Sequence, residues 1–193
     1  MANAAIVAPT LLTDPGFLYW APAGTALPTG VSTASAFSDT WPVAWIPLGM
    51  TEGGTDIDIT TTFSPITAAE TIDPLVYRPT DRTGTITFDL KSLTATNLAR
   101  CFNGATTTVT GTGATTITQI DPPVLGTETR AMIGFESLDS TFRFVAFQVV
   151  NATDVKLAFQ KAPKNTNIPF KMMLEKPAST QPWRAWTAGA ARA

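Results

Sequence analysis

Strict alternation of polar and apolar residues in two segments constrains the fold of this chain more than any other feature. The segment "TDIDITTTF", Thr55–Phe63, and the segment "TITFDL", Thr85–Leu90, both change polarity at nearly every residue. Because successive side chains of a β-strand point to opposite faces, this period of two predicts two half-buried strands. The apolar face, assigned to a core, holds Ile57, Ile59, Thr61 and Phe63 on the first strand and Ile86, Phe88 and Leu90 on the second. The polar face holds Asp56, Asp58, Thr60, Thr62, Thr85, Thr87 and Asp89.

The stretch between these strands, Ser64–Gly84, holds three prolines and has no sustained periodicity. Hairpin loops in compact domains have about 2–5 residues, so a connection this long is unusual. We interpret it as an arm or binding element, with a disordered insertion as the alternative. Its apolar residues have no partners of their own and are candidates for contacts with another surface: Ile66, Ile72, Leu75, Val76 and Tyr77.

One helix is predicted, over "SLTATNLARCFNG". Ser92 or Thr94 can cap its start, and Asn103-Gly104 suits a left-handed stop. Cys101 falls on the apolar face at helical spacing, so we interpret it as a core residue rather than a nucleophile. The following "TTTVTGTGATTITQI" predicts a hairpin that turns at residues 111–113.

The second half of the chain predicts further strands. The segment "FRFVAFQVV" is a nearly continuous apolar run, typical of a strand that is buried on both faces. After Pro177 the chain is too short and too broken by proline to fold alone, and Trp183 and Trp186 are predicted to anchor this tail, either on another surface or, as the alternative, on their own domain. The sequence thus predicts one mostly-β domain over residues 1–177, a sandwich or open barrel with one flanking helix, and a tail over residues 178–193.

Composition argues against several classes of function. Charged residues make up 15% of the chain, against about 25% in an ordinary domain, which suggests a surface largely covered by partners. The chain has no histidine and a single cysteine, so a usual catalytic triad, an imidazole metal ligand and a cysteine-clustered zinc site are all excluded, and no cofactor is predicted. No basic patch for tight phosphate binding, no signal peptide and no apolar run of membrane-spanning length is evident.

An ordered set of segments resembles a known family. The segments are "YWAPAGTALPTG", "WIPLGMTEGG", the first alternating strand, an arm with "AAETIDP", the strand "TGTITFDL" and the helix "TATNLARCFNG". In this order they resemble the major tail protein, or tail tube protein, of long non-contractile-tailed phages, especially those that infect actinobacteria. The resemblance covers roughly residues 16–176. It implies a β-sandwich with a flanking helix and a long hairpin arm, and a structural role rather than an enzymatic one.

The resemblance also implies the assembly and its partners. Six copies would form a ring, and rings would stack into the virion tail tube, assembled in the host cytoplasm, through which double-stranded DNA leaves without specific binding. The other implied partners are the tape-measure protein, the tail terminator and the distal tail proteins. In such a ring the apolar face belongs to each subunit's core. The polar face, with Asp56, Asp58 and Asp89, is therefore expected to line the lumen, with an ordinary outer surface as the alternative, while the arm and the tail contact neighbours.

Two other classes of function remain as alternatives. A carbohydrate-binding β-sandwich of a virion fibre or decoration protein would present exposed aromatic side chains, and four tryptophans could serve: Trp41, Trp45, Trp183 and Trp186. An enzyme could use the carboxylates of Asp56 and Asp58, which a strand would place about 7 Å apart on one face. Nothing else near these residues in the sequence predicts a cleft.

Overall fold

The computed structural model describes residues 15–28, 32–33, 36–67, 73–157 and 166–188 of the chain. The described strands are β1 (Gly16–Pro22), β2 (Ser32–Thr33), β3 (Ala36–Phe37), β4 (Ile46–Pro47), β5 (Thr51–Ile66), β6 (Val76–Leu90), β7 (Thr106–Thr110), β8 (Ile117–Asp121), β9 (Ala131–Ser137), β10 (Phe142–Asn151), β11 (Ile168–Leu174) and β12 (Trp183–Thr187). The described helices are α1 (Ala95–Cys101) and a single 3-10 turn (Gly113–Thr115). The mostly-β fold with one α-helix confirms the fold class predicted from the sequence.

Eight strands form one antiparallel sheet that curls until its two edges approach each other. Its order is β4-β1-β9-β10-β11-β6-β5, with β12 paired to β10. The edge strands β4 and β5 are joined by Leu48–Met50 alone, a connection that spans at most about 14 Å. Seven strands laid flat would separate the same edges by about 29 Å. The sheet is therefore an open barrel rather than a flat layer.

The concave side of this sheet encloses the main core. Phe88 of β6 and Phe170 of β11 stack with ring centroids 4.9 Å apart at its centre. The other fully buried members come from β1, β6, β9, β10 and β11: Leu18, Ile86, Leu90, Ile133, Phe144, Ala146, Val149, Ile168 and Met172. Val145 points to the opposite side and packs in a second cluster with Trp45 and Met132. The predicted burial of β10 on both faces is confirmed.

Helix α1 begins and ends where the sequence predicted. The Thr94 hydroxyl accepts a hydrogen bond from the Asn97 amide N–H at 3.1 Å, and Asn103 adopts a left-handed conformation with φ 55°. The helix is fastened to β10 because the Asn151 side chain donates to the Cys101 carbonyl at 2.8 Å. Cys101 is buried in the core, and burial raises the pKa of its thiol to about 11, which confirms a packing role rather than a nucleophilic one.

The two alternating strands are longer than predicted. β5 and β6 stay paired as far as Ile66 and Val76, so most of the stretch 64–84 is a regular hairpin ladder and not an irregular segment. Pro79 is tolerated because it lies beside a β-bulge, where the pairing shifts after Thr62. The arm is thus a two-stranded extension of the barrel wall. Residues 68–72, including Ile72, lie outside the described residues.

The assignment of Phe63 to the core is wrong, since this side chain is 56% exposed. Ile57 and Ile59 pack against the main core as predicted. Thr61 still lines a cavity with Trp183 of the body, and the five residues of β5 beyond it carry the hairpin about 17 Å outward. Alternation alone identified the face of Phe63 correctly, but it could not show where along the strand the core ends.

The C-terminal stretch is a strand of the main sheet as far as Thr187. β12 pairs with β10 from Phe142↔Thr187 to Ala146↔Trp183, so no boundary separates residues 178–187 from the rest of the fold. Trp183 stacks on Phe144 at 5.6 Å, and Trp186 packs against the second cluster. Within the described chain both rings therefore pack on their own domain, and a further contact of the tail with a neighbouring subunit stays a prediction.

Candidate functional site

A polar face runs along the outer side of the β5–β6 hairpin. The register places polar residues opposite one another in four successive rungs: Asp56↔Thr87, Asp58↔Thr85, Thr60↔Thr83 and Thr62↔Asp81. Asp56, Asp58, Thr60 and Thr62 are exposed, while Thr85 and Asp89 are half-buried. The structure thus brings all seven residues of the predicted polar strip together on one surface, and it adds Thr83 and Asp81 to them.

The same surface continues across β11. Lys171 lies opposite Thr87 and therefore in one row with Asp56, and Met173 lies opposite Thr85. An exposed cation thus sits within the polar face. The position of Lys171 in this row follows from the register of β11 against β6, which no local sequence pattern gives.

Carboxylates outnumber cations on this surface. Four carboxylates, of Asp56, Asp58, Asp81 and Asp89, lie on this face with two cations, Lys171 and Arg78, the latter opposite Ser64. Glu52, which pairs with Asp89 across the ladder, forms a 2.5 Å salt bridge with Lys91. Exposed aspartates carry negative charge at neutral pH. Apart from Met173, the remaining side chains of the four rungs are short hydroxyls, so the polar face is acidic and has few long side chains that could hold a passing anion.

The outer edge of β5 has no paired strand among the described residues. β5 is 16 residues long and ends the strand order of the sheet. Positive φ angles at Gly53 and Gly54 accompany a bulge near its start, after which the ladder is regular as far as Thr62. An edge of this length presents a row of free backbone donors and acceptors, which is a template for pairing with another strand.

The arm carries exposed apolar residues on both of its faces. Among the predicted contact residues, Ile66, Leu75, Val76 and Tyr77 are exposed, with 62% of Tyr77 accessible. Phe63 and Tyr77 lie on the face that continues the core side of the hairpin, because Phe63 pairs with Pro79 and Tyr77 with Pro65. Large exposed apolar surfaces mark sites of contact with other molecules.

A buried ion cluster, which the sequence analysis missed, lies behind β9 and β10. The Arg143 guanidinium is 2% exposed and pairs with Asp39 at 2.5 Å and with Glu136 at 3.1 Å. The Trp41 indole N–H donates to the same Glu136 carboxylate, and Arg143 lies over the Phe37 ring. Burial and the nearby Glu136 charge raise the pKa of Tyr19, whose ring stacks on Trp41. The cluster fastens residues 37–45 over the barrel wall, and no sequence signal pairs residues so far apart.

The tryptophans do not form an open binding platform. Trp45 is buried and donates to the Ala26 carbonyl at 2.8 Å, and Trp41, Trp183 and Trp186 are half-buried in stacked or clustered contacts. A carbohydrate-binding surface needs exposed aromatic faces. The four tryptophans that favoured a carbohydrate-binding module therefore pack within the chain and do not present open ring faces.

The carboxylates are not arranged for catalysis in the described part of the chain. Asp56 and Asp58 lie on an open strand face, Glu136 is neutralised by Arg143, and Asp139 accepts hydrogen bonds from its own turn. No group of three metal-binding side chains occurs among the described residues, and none of the described helices has the length and apolar character needed to cross a membrane.

The comparisons with known proteins indicate what kind of protein carries the polar face, the free β5 edge and the exposed arm. A search of curated proteins finds no match. A family model described as "Phage tail tube protein" matches residues 3–183, which is nearly the whole chain and includes the barrel, the arm and the helix. Proteins of this family are structural parts of the virion tail, and they assemble with copies of themselves into a tube. The chain therefore belongs to the phage tail tube protein family.

Proposed function

We propose that six copies of this chain close into a ring, that rings stack into the tail tube, and that double-stranded DNA is ejected through it into the host. The observation that carries this proposal is the coexistence of an acidic face, an unpaired 16-residue edge and an overhanging arm on one hairpin. The same hairpin then supplies the lumen wall, a contact within the ring and a contact between rings.

Ring closure uses the free edge of β5. Pairing this edge with a neighbouring subunit satisfies its backbone groups and extends the sheet around the ring. The core side of each sheet is already filled by its own subunit, so the polar face is the side left for the lumen. Asp56, Asp58, Thr60, Thr62, Thr85, Thr87 and Asp89 line the channel, with Lys171 among them.

An acidic channel suits the transport of DNA. Lysine-lined walls would bind phosphates and release counterions, whereas carboxylates repel the phosphate backbone and short hydroxyls offer little grip. The arm residues Ile66, Leu75, Val76 and Tyr77, together with Ile72, contact adjacent subunits or rings. The tape-measure protein, the tail terminator and the distal tail proteins complete the tail, which is assembled in the host cytoplasm.

Charge reversal in the channel tests this function. Changing Asp56→Lys with Asp58→Lys adds four positive charges per subunit, or about 24 per six-subunit ring, and should slow genome ejection while tubes still form. The slowing should be larger at low salt, where screening is weakest. Asp154→Lys, at an exposed position outside β5 and β6, is a control for added positive charge in general. Normal ejection at low salt, or a tube map with Asp56 and Asp58 facing outward, would overturn the lumen assignment.

A further inference from the structure

A cleft between helix α1 and the barrel wall holds an arginine that has no acidic partner among the described residues. The cleft has a volume of about 270 Å³. Three of the side chains that line it, those of Ala131, Val149 and Met172, are almost fully buried and form an apolar floor. Arg100, in the last turn of α1, and Trp20, from β1, line it as well. The cleft therefore combines an apolar floor with one cation.

Arg100 is held in a defined orientation at this cleft. Its guanidinium carbon lies 4.6 Å from the centre of the Trp20 ring, and one of its nitrogens donates to the Asn97 side-chain oxygen at 3.0 Å. Asn97 is only 4% exposed, and its side-chain nitrogen donates to the Leu48 and Ser92 carbonyls. Because a ring and a buried amide already position the guanidinium, it loses little conformational freedom when it binds a ligand.

The charge of Arg100 is not matched within the described part of the chain. A guanidinium has five N–H donors, and among the described residues Asn97 alone accepts from this one. None of the salt bridges between described residues involves Arg100, and burial lowers the pKa of its side chain. Arginine nevertheless stays protonated at neutral pH. A half-buried cation without a counter-charge is unfavourable, so an anion that reached it would gain both charge attraction and hydrogen bonds.

The other polar side chains of the cleft carry no charge. Asn103 is engaged within the chain, since its nitrogen donates to the Asn151 carbonyl at 2.9 Å and its oxygen accepts from the Asn151 amide N–H at 2.7 Å. The Thr129 hydroxyl donates to the Asn103 carbonyl at 3.1 Å. Thr96 and Thr107 contribute hydroxyls. No aspartate or glutamate of the described residues lines the cleft, so its electrostatic character is positive.

The size and charge of the cleft favour a carboxylate on a short aliphatic stem. Arginine binds a planar carboxylate through two parallel hydrogen bonds. One guanidinium neutralises one carboxylate, whereas a phosphate dianion would leave a second charge uncompensated in a half-buried site. Pockets for drug-sized ligands measure about 300–1,000 Å³. A cleft of about 270 Å³ therefore suits a smaller group, and its apolar floor suits the carbon atoms of that group.

We propose that this cleft is a binding site for a carboxylate on a short aliphatic stem, held by the free N–H groups of Arg100. The stem packs against the apolar floor. Two sources have this chemistry: a free short-chain carboxylic acid, and the side chain of an aspartate or glutamate from a second copy of the chain. In the second case the cleft fixes a contact between subunits that uses neither the β5 edge nor the arm.

Titration of the purified subunit with sodium butyrate tests the site. Butyrate should shift the NMR signal of the Trp20 indole, because this ring lies beneath the guanidinium. With a dissociation constant of about 10 mM, butyrate at about 100 mM should raise the melting temperature by about 3–6 °C relative to sodium chloride at equal ionic strength. Butyramide has the same stem without the charge and should produce neither effect.

Variants of Arg100 assign these effects to the cleft. Arg100→Met should abolish both, and Arg100→Lys, which keeps the charge but not the paired donors, should weaken them. Each variant is compared with its own melt in sodium chloride, so a change in basal stability does not obscure the result. Arg184→Met is the matched control, because Arg184 also lies over a tryptophan ring but is exposed and outside the cleft. It should respond to butyrate as the parent does.

Tube assembly distinguishes the two sources of the carboxylate. If a second copy supplies it, Arg100→Met should raise several-fold the lowest protein concentration at which tubes pellet, and butyrate should do the same to the parent but not to the variant. If the ligand is a free acid, this concentration stays unchanged. A parent subunit that does not respond to butyrate, together with normal pelleting of Arg100→Met, would overturn the proposal. The titration needs neither rings nor tubes, so failure of the parent to assemble would count only against the proposed function.

Discussion

The Arg143 cluster gives a sharp prediction about the stability of the subunit. Arg143→Met removes the cation that pairs with Glu136 and Asp39, whose side chains are only 9% and 13% exposed. Breaking a buried pair on one side costs about 3–5 kcal/mol. A chain of this size loses about 2–4 °C of melting temperature per kcal/mol. We expect thermal unfolding to occur about 6–20 °C lower.

A second arginine in the same chain supplies the control. Arg130 makes a bidentate pair with Glu175, but both side chains are about one-third exposed. Exposed pairs contribute about 0–1 kcal/mol, so Arg130→Met should lower the melting temperature by less than about 4 °C. Circular dichroism melts of the two variants at equal protein concentration make the comparison.

A double variant distinguishes two causes of the lower melting temperature of Arg143→Met: the lost attraction of the ion pair, and the buried negative charge that remains. Adding Glu136→Gln to Arg143→Met removes one buried negative charge but keeps an acceptor for the Trp41 indole N–H. If uncompensated charge dominates, the double variant should melt higher than Arg143→Met alone. The reasoning fails if Arg143→Met melts within about 4 °C of the parent, or if the two arginine variants lose the same stability.

Three further predictions concern the arm, the last strand and the cysteine. Deleting residues 67–78 should leave a folded subunit, since the body closes below the arm, yet one that forms no tubes in electron micrographs; normal tubes would refute the role of the arm. Trp183→Ala removes a half-buried ring stacked on Phe144 and should cost about 2 kcal/mol in chemical unfolding, less than the loss of about 3–5 kcal/mol for a fully buried ring, whereas a tail without a role in its own domain would leave the free energy unchanged. The raised pKa of Cys101 leaves about one-hundredth of the ordinary thiolate fraction at pH 8, so iodoacetamide should modify the native thiol at least about a hundredfold more slowly than the unfolded one; equal rates would refute its burial.

Local patterns in the sequence were sufficient for much of the fold. The period of two assigned the faces of β5 and β6 correctly, because side-chain direction along a strand depends on neighbouring residues alone. The Thr94 cap and the Asn103 stop located α1 for the same reason. These signals also grouped the polar residues Asp56 to Asp89 on one surface, although their position in a lumen stays a prediction.

The features that the sequence could not predict depend on pairs of distant residues. The pairing of β5 with β6 continues from Phe63↔Pro79 to Ile66↔Val76. The sequence there contains several prolines, and its composition favoured an irregular loop. The register of β11 against β6 places Lys171 on the polar face. Arg143 pairs with Asp39, which is 104 residues away in the sequence. β12 was placed in a tail because a short strand with two tryptophans gives no indication of which strand it pairs with.

The pairing of β1 with the distant strand β9 has a consequence for the order of folding. Closing the barrel requires β1 to pair with β9, and those partners are separated by roughly 110–120 residues along the chain. At about 5–20 residues per second, the ribosome releases β9 some 6–23 s after β1. The β5–β6 hairpin needs only its own residues and forms in microseconds. The nascent subunit thus exposes its longest free strand edge well before the body beside it is complete, so subunits translated side by side can pair at that edge before either has closed.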